Sequence, residues 1–115
     1  MLKKINRLNK EVDFKKNLKK GKYFSSKIIT LVITKNSINL SRFGIVVGLK
    51  ISKKAVIRNK IRRWLSEIVR LNLNKIKTGN DIVILTRPDI VKCQNQEIKK
   101  DLISLLNKSK LISDL

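Results

Sequence analysis

The chain has 115 residues, with 42% hydrophobic side chains and 28 Lys or Arg against 8 Asp or Glu, for a formal charge of +20. That length supports one domain with one core and not two, so a single unit over residues 1–115 is expected. The absence of histidine and the single cysteine, Cys93, exclude an internal disulfide, histidine acid–base chemistry, and histidine or multi-cysteine metal sites. No apolar run approaches the ~20 residues that span a bilayer. The N-terminus has no apolar segment behind its positive charges, so a soluble cytoplasmic protein is expected. A compact domain with this excess charge repels itself unless a polyanion screens it, and nucleic acid or an anionic membrane surface would do so.

Asn6 to Lys20 reads as a first helix, with Leu8, Val12 and Leu18 near helical spacing and Gly21 as its stop. Phe14 lies off that stripe and is open either to packing or to base stacking. From Tyr23 to Lys35 the period becomes two: Ile29, Leu31 and Ile33 form an apolar face, and Ile28, Thr30, Val32 and Thr34 a mixed one. After a polar turn, Arg42 to Leu49 reads as a second strand, joined to the first as a hairpin. Gly44 and Gly48 within it suggest a bulge or a close backbone approach.

Lys50 to Arg70 predicts an amphipathic helix, with Ser52 as a candidate N-cap. At about 100° per residue, Ile57, Ile61, Trp64, Leu65, Ile68 and Leu71 gather on one side and Arg58, Asn59, Arg62, Arg63, Ser66 and Arg70 on the other. Trp64 therefore reads as core. The guanidinium forks suit phosphate oxygens, and Asn59 suits a sugar or base edge. After a polar connector, Ile82 to Thr86 fits a central strand covered on both faces and ended by Arg87-Pro88. Gln94 to Lys108 carries Ile98, Leu102, Leu105 and Leu106 as a second core-covering helix. Cys93 reads as a small structural residue. The order gives an α/β two-layer sandwich, α-β-β-(β)-α-β-α.

The chain resembles the protein component of bacterial ribonuclease P. The resemblance rests on Arg42-Phe-Gly-Ile-Val-Val47 leading to Lys50, then Ala55-Val-Ile-Arg58-Asn59-Lys60-Ile61-Arg62-Arg63, and Glu67 followed by Arg70. Asn6-Arg7-Leu8, Asp13-Phe14, Gly21 and Thr86-Arg87-Pro88 match the family pattern at the ends, so nearly the whole chain is covered. Four positions depart from it: Lys60 stands for the family's second Arg, Leu49 for the first of two lysines, and Leu18 and Val32 for positions often aromatic. The lysine keeps the charge and loses the bidentate fork.

The resemblance implies a mixed sheet with a left-handed βαβ crossover through the basic helix, where general rules would give a right-handed one. It further implies a non-catalytic subunit of an endoribonuclease that removes the 5′ leader of precursor tRNA. In that reading the hydrolysis is carried out by the RNA subunit, with magnesium held by RNA and no protein metal site. The RNA-subunit contacts are expected at Lys50, Lys53, Lys54, Arg58, Asn59, Lys60, Arg62, Arg63 and Arg70, and leader contacts at Phe14, Thr30 and Val32. The partners are the ribonuclease P RNA and precursor tRNA, with no membrane and no protein partner required. From the residues alone, the scattered carboxylates Asp13, Asp81, Glu97 and Asp101 form no magnesium-ligand string. The alternative on charge alone is a small ribosomal or other structured-RNA-binding protein. A DNA-binding protein is disfavoured, because the basic helix has no helix-turn-helix partner or dimerisation heptad.

Overall fold

The structure, a computed structural model, describes residues 2–8 and 11–112, without the side chains of residues 11–13. The expectations for Val12 and Asp13 side chains therefore lie outside the described residues. The elements are α1 (Glu11–Lys20), β1 (Lys22–Ser25), β2 (Ile29–Lys35), β3 (Arg42–Val46), α2 (Ala55–Asn72), β4 (Asn80–Thr86) and α3 (Asn95–Lys108). Short 3₁₀ turns occupy Lys4–Asn6, Leu73–Lys75 and Pro88–Lys92. The first helix thus begins later than Asn6, and Arg7 instead bridges to Phe43 beside β3.

The sheet order is β1-β2-β4-β3. β1 and β4 pair antiparallel with β2, and β3 runs parallel to β4, which makes the sheet mixed and places α2 in a parallel β3-α2-β4 crossover. Two expectations are corrected here. The single strand over Tyr23 to Lys35 is a hairpin: Ser26 Oγ accepts from the Ile28 and Ile29 amides at 3.3 and 3.1 Å and folds the chain between β1 and β2. The expected hairpin between β2 and β3 does not form, because β4 lies between them. β4 carries Ile82 and Ile84 to one face and Val83 to the other, all fully buried, and only an interior position covers both. β3 stops at Val46, paired with Leu85, since β4 then reaches Arg87-Pro88 and its donors end.

The main core lies between one sheet face and α2 with α3. Ile29, Leu31, Phe43, Ile82 and Ile84 meet Ile61, Leu65, Ile68 and Val69 of α2 and Ile98, Leu102, Leu105 and Leu106 of α3. At about 1.5–3 kcal/mol for each fully buried aliphatic side chain, these positions dominate the fold's stability. α1 adds a partial third layer on the opposite face, over a small cluster of Leu8, Val32 and Val83 joined by Phe14 and Leu85. Asn6 is buried and donates to the Ser41 carbonyl at 2.8 Å, tying the N-terminal segment to the start of β3.

α2 follows the expected stripe except at its ends. Leu71 is 61% exposed, and Val69, outside the stripe, is buried instead. The helix begins at Ala55, with Ser52 Oγ accepting from the Lys54 amide at 3.1 Å, so Ser52 stabilises the approach rather than capping the helix.

Candidate RNA interface

The N-terminal end of α2 has neither a side-chain cap nor an acidic residue in its first turn. Its unpaired amides and dipole already favour an anion. Lys50, Lys53 and Lys54, all exposed, surround that pole with further positive charge. Such an end is electrostatically unsatisfied until an anion meets it.

One turn later, Arg58 is half-buried and donates through Nη1 to the Ser52 carbonyl at 2.9 Å. Arg62 donates through Nη1 to Asn59 Oδ1 at 2.8 Å and through Nη2 to the Val47 carbonyl at 3.4 Å. Asn59 therefore orients Arg62 through its oxygen and keeps its amide donors for a partner. Each guanidinium has five donors, so both arginines are held in place with donors left over. Arg63 is exposed and has no partner among the described residues.

Two expected contacts are differently placed. Lys60 holds its ammonium 5.0 Å from the centroid of the Trp64 ring, on the flank away from Arg58 and Arg62. Trp64 is accordingly half-buried, packing on the core and carrying a cation. Arg70 pairs with Glu67 on the surface, and its guanidinium lowers the Glu67 carboxyl from 4.5 to about 2.

On the other sheet face the Phe14 ring lies directly over Gly44. A Cβ at Gly44 would sit 2.4 Å from Phe14 Cζ, so only glycine lets the ring rest on β3. Gly44 thus fulfils the close-approach reading. Gly48 lies beyond β3 with nothing near its missing side chain and does not. Phe14, Phe43, Gly44 and Ile45 wall a pocket of about 370 Å³, with Arg7 and Arg62 at its rim. The sequence pattern assigns Phe14 and Arg62 to different RNA contacts; the fold puts them around one hollow.

The strand contacts divide. Thr30 is half-buried and shares a 3.0 Å hydrogen bond with Ser25 Oγ on the exposed part of this face. Val32 is fully buried beneath α1, so its side chain offers no surface to a ligand. Tyr23, opposite Val32 in the β1–β2 register, is instead the exposed ring at 55%, held by its hydroxyl on the Leu18 carbonyl at 2.6 Å. Tyr23 and Arg7 join the candidate site only in the structure: parity along one continuous strand puts Tyr23 on the face opposite Val32, and the β1–β2 hairpin register brings the two together, while Arg7 reaches the pocket through the N-terminal segment beside β3.

No three His, Cys, Asp or Glu side chains gather as a metal-ion site among the described residues. The carboxylates instead serve the fold: Asp81 binds Arg42 and Asn36, Asp101 accepts from Ser26, and Glu97 accepts the Gln94 amide. Among the described residues, these carboxylates are not arranged to hold a magnesium ion.

Residues 2–110 match the family model described as Ribonuclease P. The chain belongs to the ribonuclease P protein family. It is 39% identical over 112 residues to the ribonuclease P protein component of Alkaliphilus oremlandii, covering 97% of each chain. The Clostridioides difficile component is 39% identical over 103 residues, covering 89% of this chain and 90% of that one. Among solved structures, the RNase P protein of Staphylococcus aureus superposes with a TM-score of 0.88 at 28% identity, covering 94% of this chain and 98% of that one. That of Thermotoga maritima gives 0.81 at 34% identity, with 89% and 96% covered. The mixed sheet and the helices around it are therefore those of a ribonuclease P protein. No helix among the described residues is long and apolar enough to cross a membrane.

Proposed function

We propose that this ribonuclease P protein binds the catalytic RNA subunit through the N-terminal half of α2 and holds the single-stranded 5′ leader of precursor tRNA on the α1 face of the sheet. The observation that carries this reading is the pocket shared by Phe14 and Arg62, which brings one guanidinium of the basic helix to the same hollow as the ring that would stack on the leader. Lys50, Lys53, Lys54, Arg58, Asn59, Arg62 and Arg63 form the RNA-subunit contact, Lys60 and Arg70 lie at its edges, and Tyr23 and Thr30 extend the leader contact from Phe14. The protein's part is electrostatic and positional: it neutralises phosphate repulsion between two RNAs and fixes the leader's path. Hydrolysis in this reading belongs to the RNA subunit with RNA-held magnesium, in the cytoplasm, and the protein supplies no reacting group.

The test is cleavage of precursor tRNA at low magnesium by a bacterial ribonuclease P RNA, with and without this protein. Wild type is expected to restore correct 5′ processing, and an Arg58→Ala/Arg62→Ala variant to need about tenfold or more protein, with a flatter salt dependence because fewer phosphates are neutralised. RNA binding by the wild type without stimulation of cleavage would favour a general structured-RNA-binding protein instead.

A further inference from the structure

A second pocket, of about 450 Å³, opens at the end of the sheet where β2 finishes and β3 and β4 begin. It shares no lining residue with the Phe14–Arg62 pocket. Thr34, in its wall, lies four residues along β2 from Thr30, about 13 Å at strand rise. Its volume falls within the roughly 300–1,000 Å³ of small-ligand sites. The lining nevertheless contains no aromatic or large apolar side chain, so a base finds nothing to stack on.

Its charge is decided by what is already paired. Arg42 grips Asp81 with two bonds, Nε to Oδ1 at 2.8 Å and Nη2 to Oδ2 at 2.7 Å, and Asn36 donates to the same carboxylate at 2.8 Å. That carboxylate is answered. Lys16 and Lys35 remain, both exposed at the pocket and without an ion-pair partner among the described residues, so the pocket carries two uncompensated positive charges. The Ser37 hydroxyl stands beside them. Asn17 forms the inner wall. It is 1% exposed, its amide is fixed on the Asp81 carbonyl at 2.9 Å, and its Oδ1 has no hydrogen-bond partner.

We propose that this pocket holds a phosphodiester of an RNA strand between Lys16 and Lys35, as a contact separate from those of α2 and Phe14. The proposal rests on the ribonuclease P reading above, and the strand comes either from the catalytic RNA or from the upstream part of a leader that has already crossed Phe14.

The experiment compares four proteins in holoenzyme reconstituted with a bacterial ribonuclease P RNA: wild type, Lys16→Ala/Lys35→Ala, Lys16→Arg/Lys35→Arg, and Lys100→Ala/Lys108→Ala, which removes the same charge from exposed positions of α3. Affinity is measured for the catalytic RNA alone and, in the holoenzyme, for precursor tRNA with short and long leaders, across a salt series. The pocket variant is expected to bind about 5–10-fold more weakly than the α3 variant, with a salt slope shallower by about 0.7 for each single-strand phosphate it no longer neutralises. Lys16→Arg/Lys35→Arg should restore binding. A loss on catalytic RNA alone places the phosphodiester in that RNA; a loss confined to long leaders places it in the leader. If the pocket and α3 variants behave alike on every RNA while wild type still stimulates cleavage, the pocket proposal is wrong and the function stands. If wild type does not stimulate cleavage, the function falls and takes the pocket proposal with it.

Discussion

Gly44→Ala tests whether α1 is docked through the Phe14 ring. The added Cβ would stand 2.4 Å from Cζ and 2.6 Å from Cε1, where comfortable contact begins near 3.4 Å, so the ring must withdraw by about 1 Å. It cannot withdraw downward, because β3 is beneath it. It must lift α1 or swing toward the Arg62 rim. Overpacking of this kind costs about 1–3 kcal/mol. The opposing effect is smaller: alanine in place of glycine within a strand recovers about 0.5–1 kcal/mol of chain entropy. A net loss of about 1–2 kcal/mol is expected, read from urea denaturation. Phe14→Leu should remove most of that loss, making the double-mutant cycle strongly non-additive. Because the displaced ring faces the pocket proposed for the leader, Gly44→Ala should on that proposal also weaken long-leader substrates more than leaderless ones. An unchanged or raised stability for Gly44→Ala would refute the docking argument.

The remaining expectations concern single interactions. Arg42→Ala leaves Asp81 buried with only Asn36 to answer it, and should destabilise by about 2–4 kcal/mol, the pair being 24% and 11% exposed in its side chains; denaturation midpoints would show it. Lys110, in the turn just after α3, has φ 64°, so Lys110→Gly should stabilise by about 0.5–1 kcal/mol in the same assay. For Glu67, whose folded carboxyl is depressed from 4.5 to about 2, the bond to Arg70 contributes fully above the ordinary value and disappears as pH falls towards 2. A carboxyl-carbon NMR titration of Glu67 should therefore show its midpoint near 2 in wild type and shifted upward in Arg70→Ala. An ordinary midpoint in wild type would mean that the pair does not persist in solution.

What the sequence made legible follows from how local each signal is. α2 was readable because Ile57, Ile61, Leu65 and Ile68 recur with the helical period within a helix of eighteen residues, long enough for the apolar face to be unambiguous. β4 was readable as interior because its apolar run leaves no polar face to turn outward. The pairing of β2 with β4 was not, because the preference for joining neighbouring strands points to a β2–β3 hairpin, and only the need to bury both faces of β4 overrides it. The turn at Ser26 hides inside an alternating pattern, since one serine oxygen does the folding. Val32 shows the limit of strand parity most clearly. Parity placed it on the face opposite Ile29 and Leu31, as the structure has it; what covers that face, α1 lying across Val32 and Val83, is a tertiary fact.

The proposed interface also gives a reason why arginine rather than lysine suits positions 58 and 62. The loop between β3 and α2 has little regular structure, and the Val47 and Ser52 carbonyls within it are bound by Arg62 and Arg58 respectively. Those two side chains therefore fix the loop that carries Lys50 and, through their remaining donors, present a planar fork outward. An ammonium has three donors radiating from one point and cannot hold a carbonyl behind it and match two phosphate oxygens ahead with the same geometry. The consequence is preorganisation: the loop and both guanidinium groups are ordered before RNA arrives, so binding costs less conformational entropy. Lys60 escapes this requirement because its side chain turns to the Trp64 ring, on a flank where no loop carbonyl awaits it. That is why a lysine there leaves the Arg58–Arg62 arrangement intact.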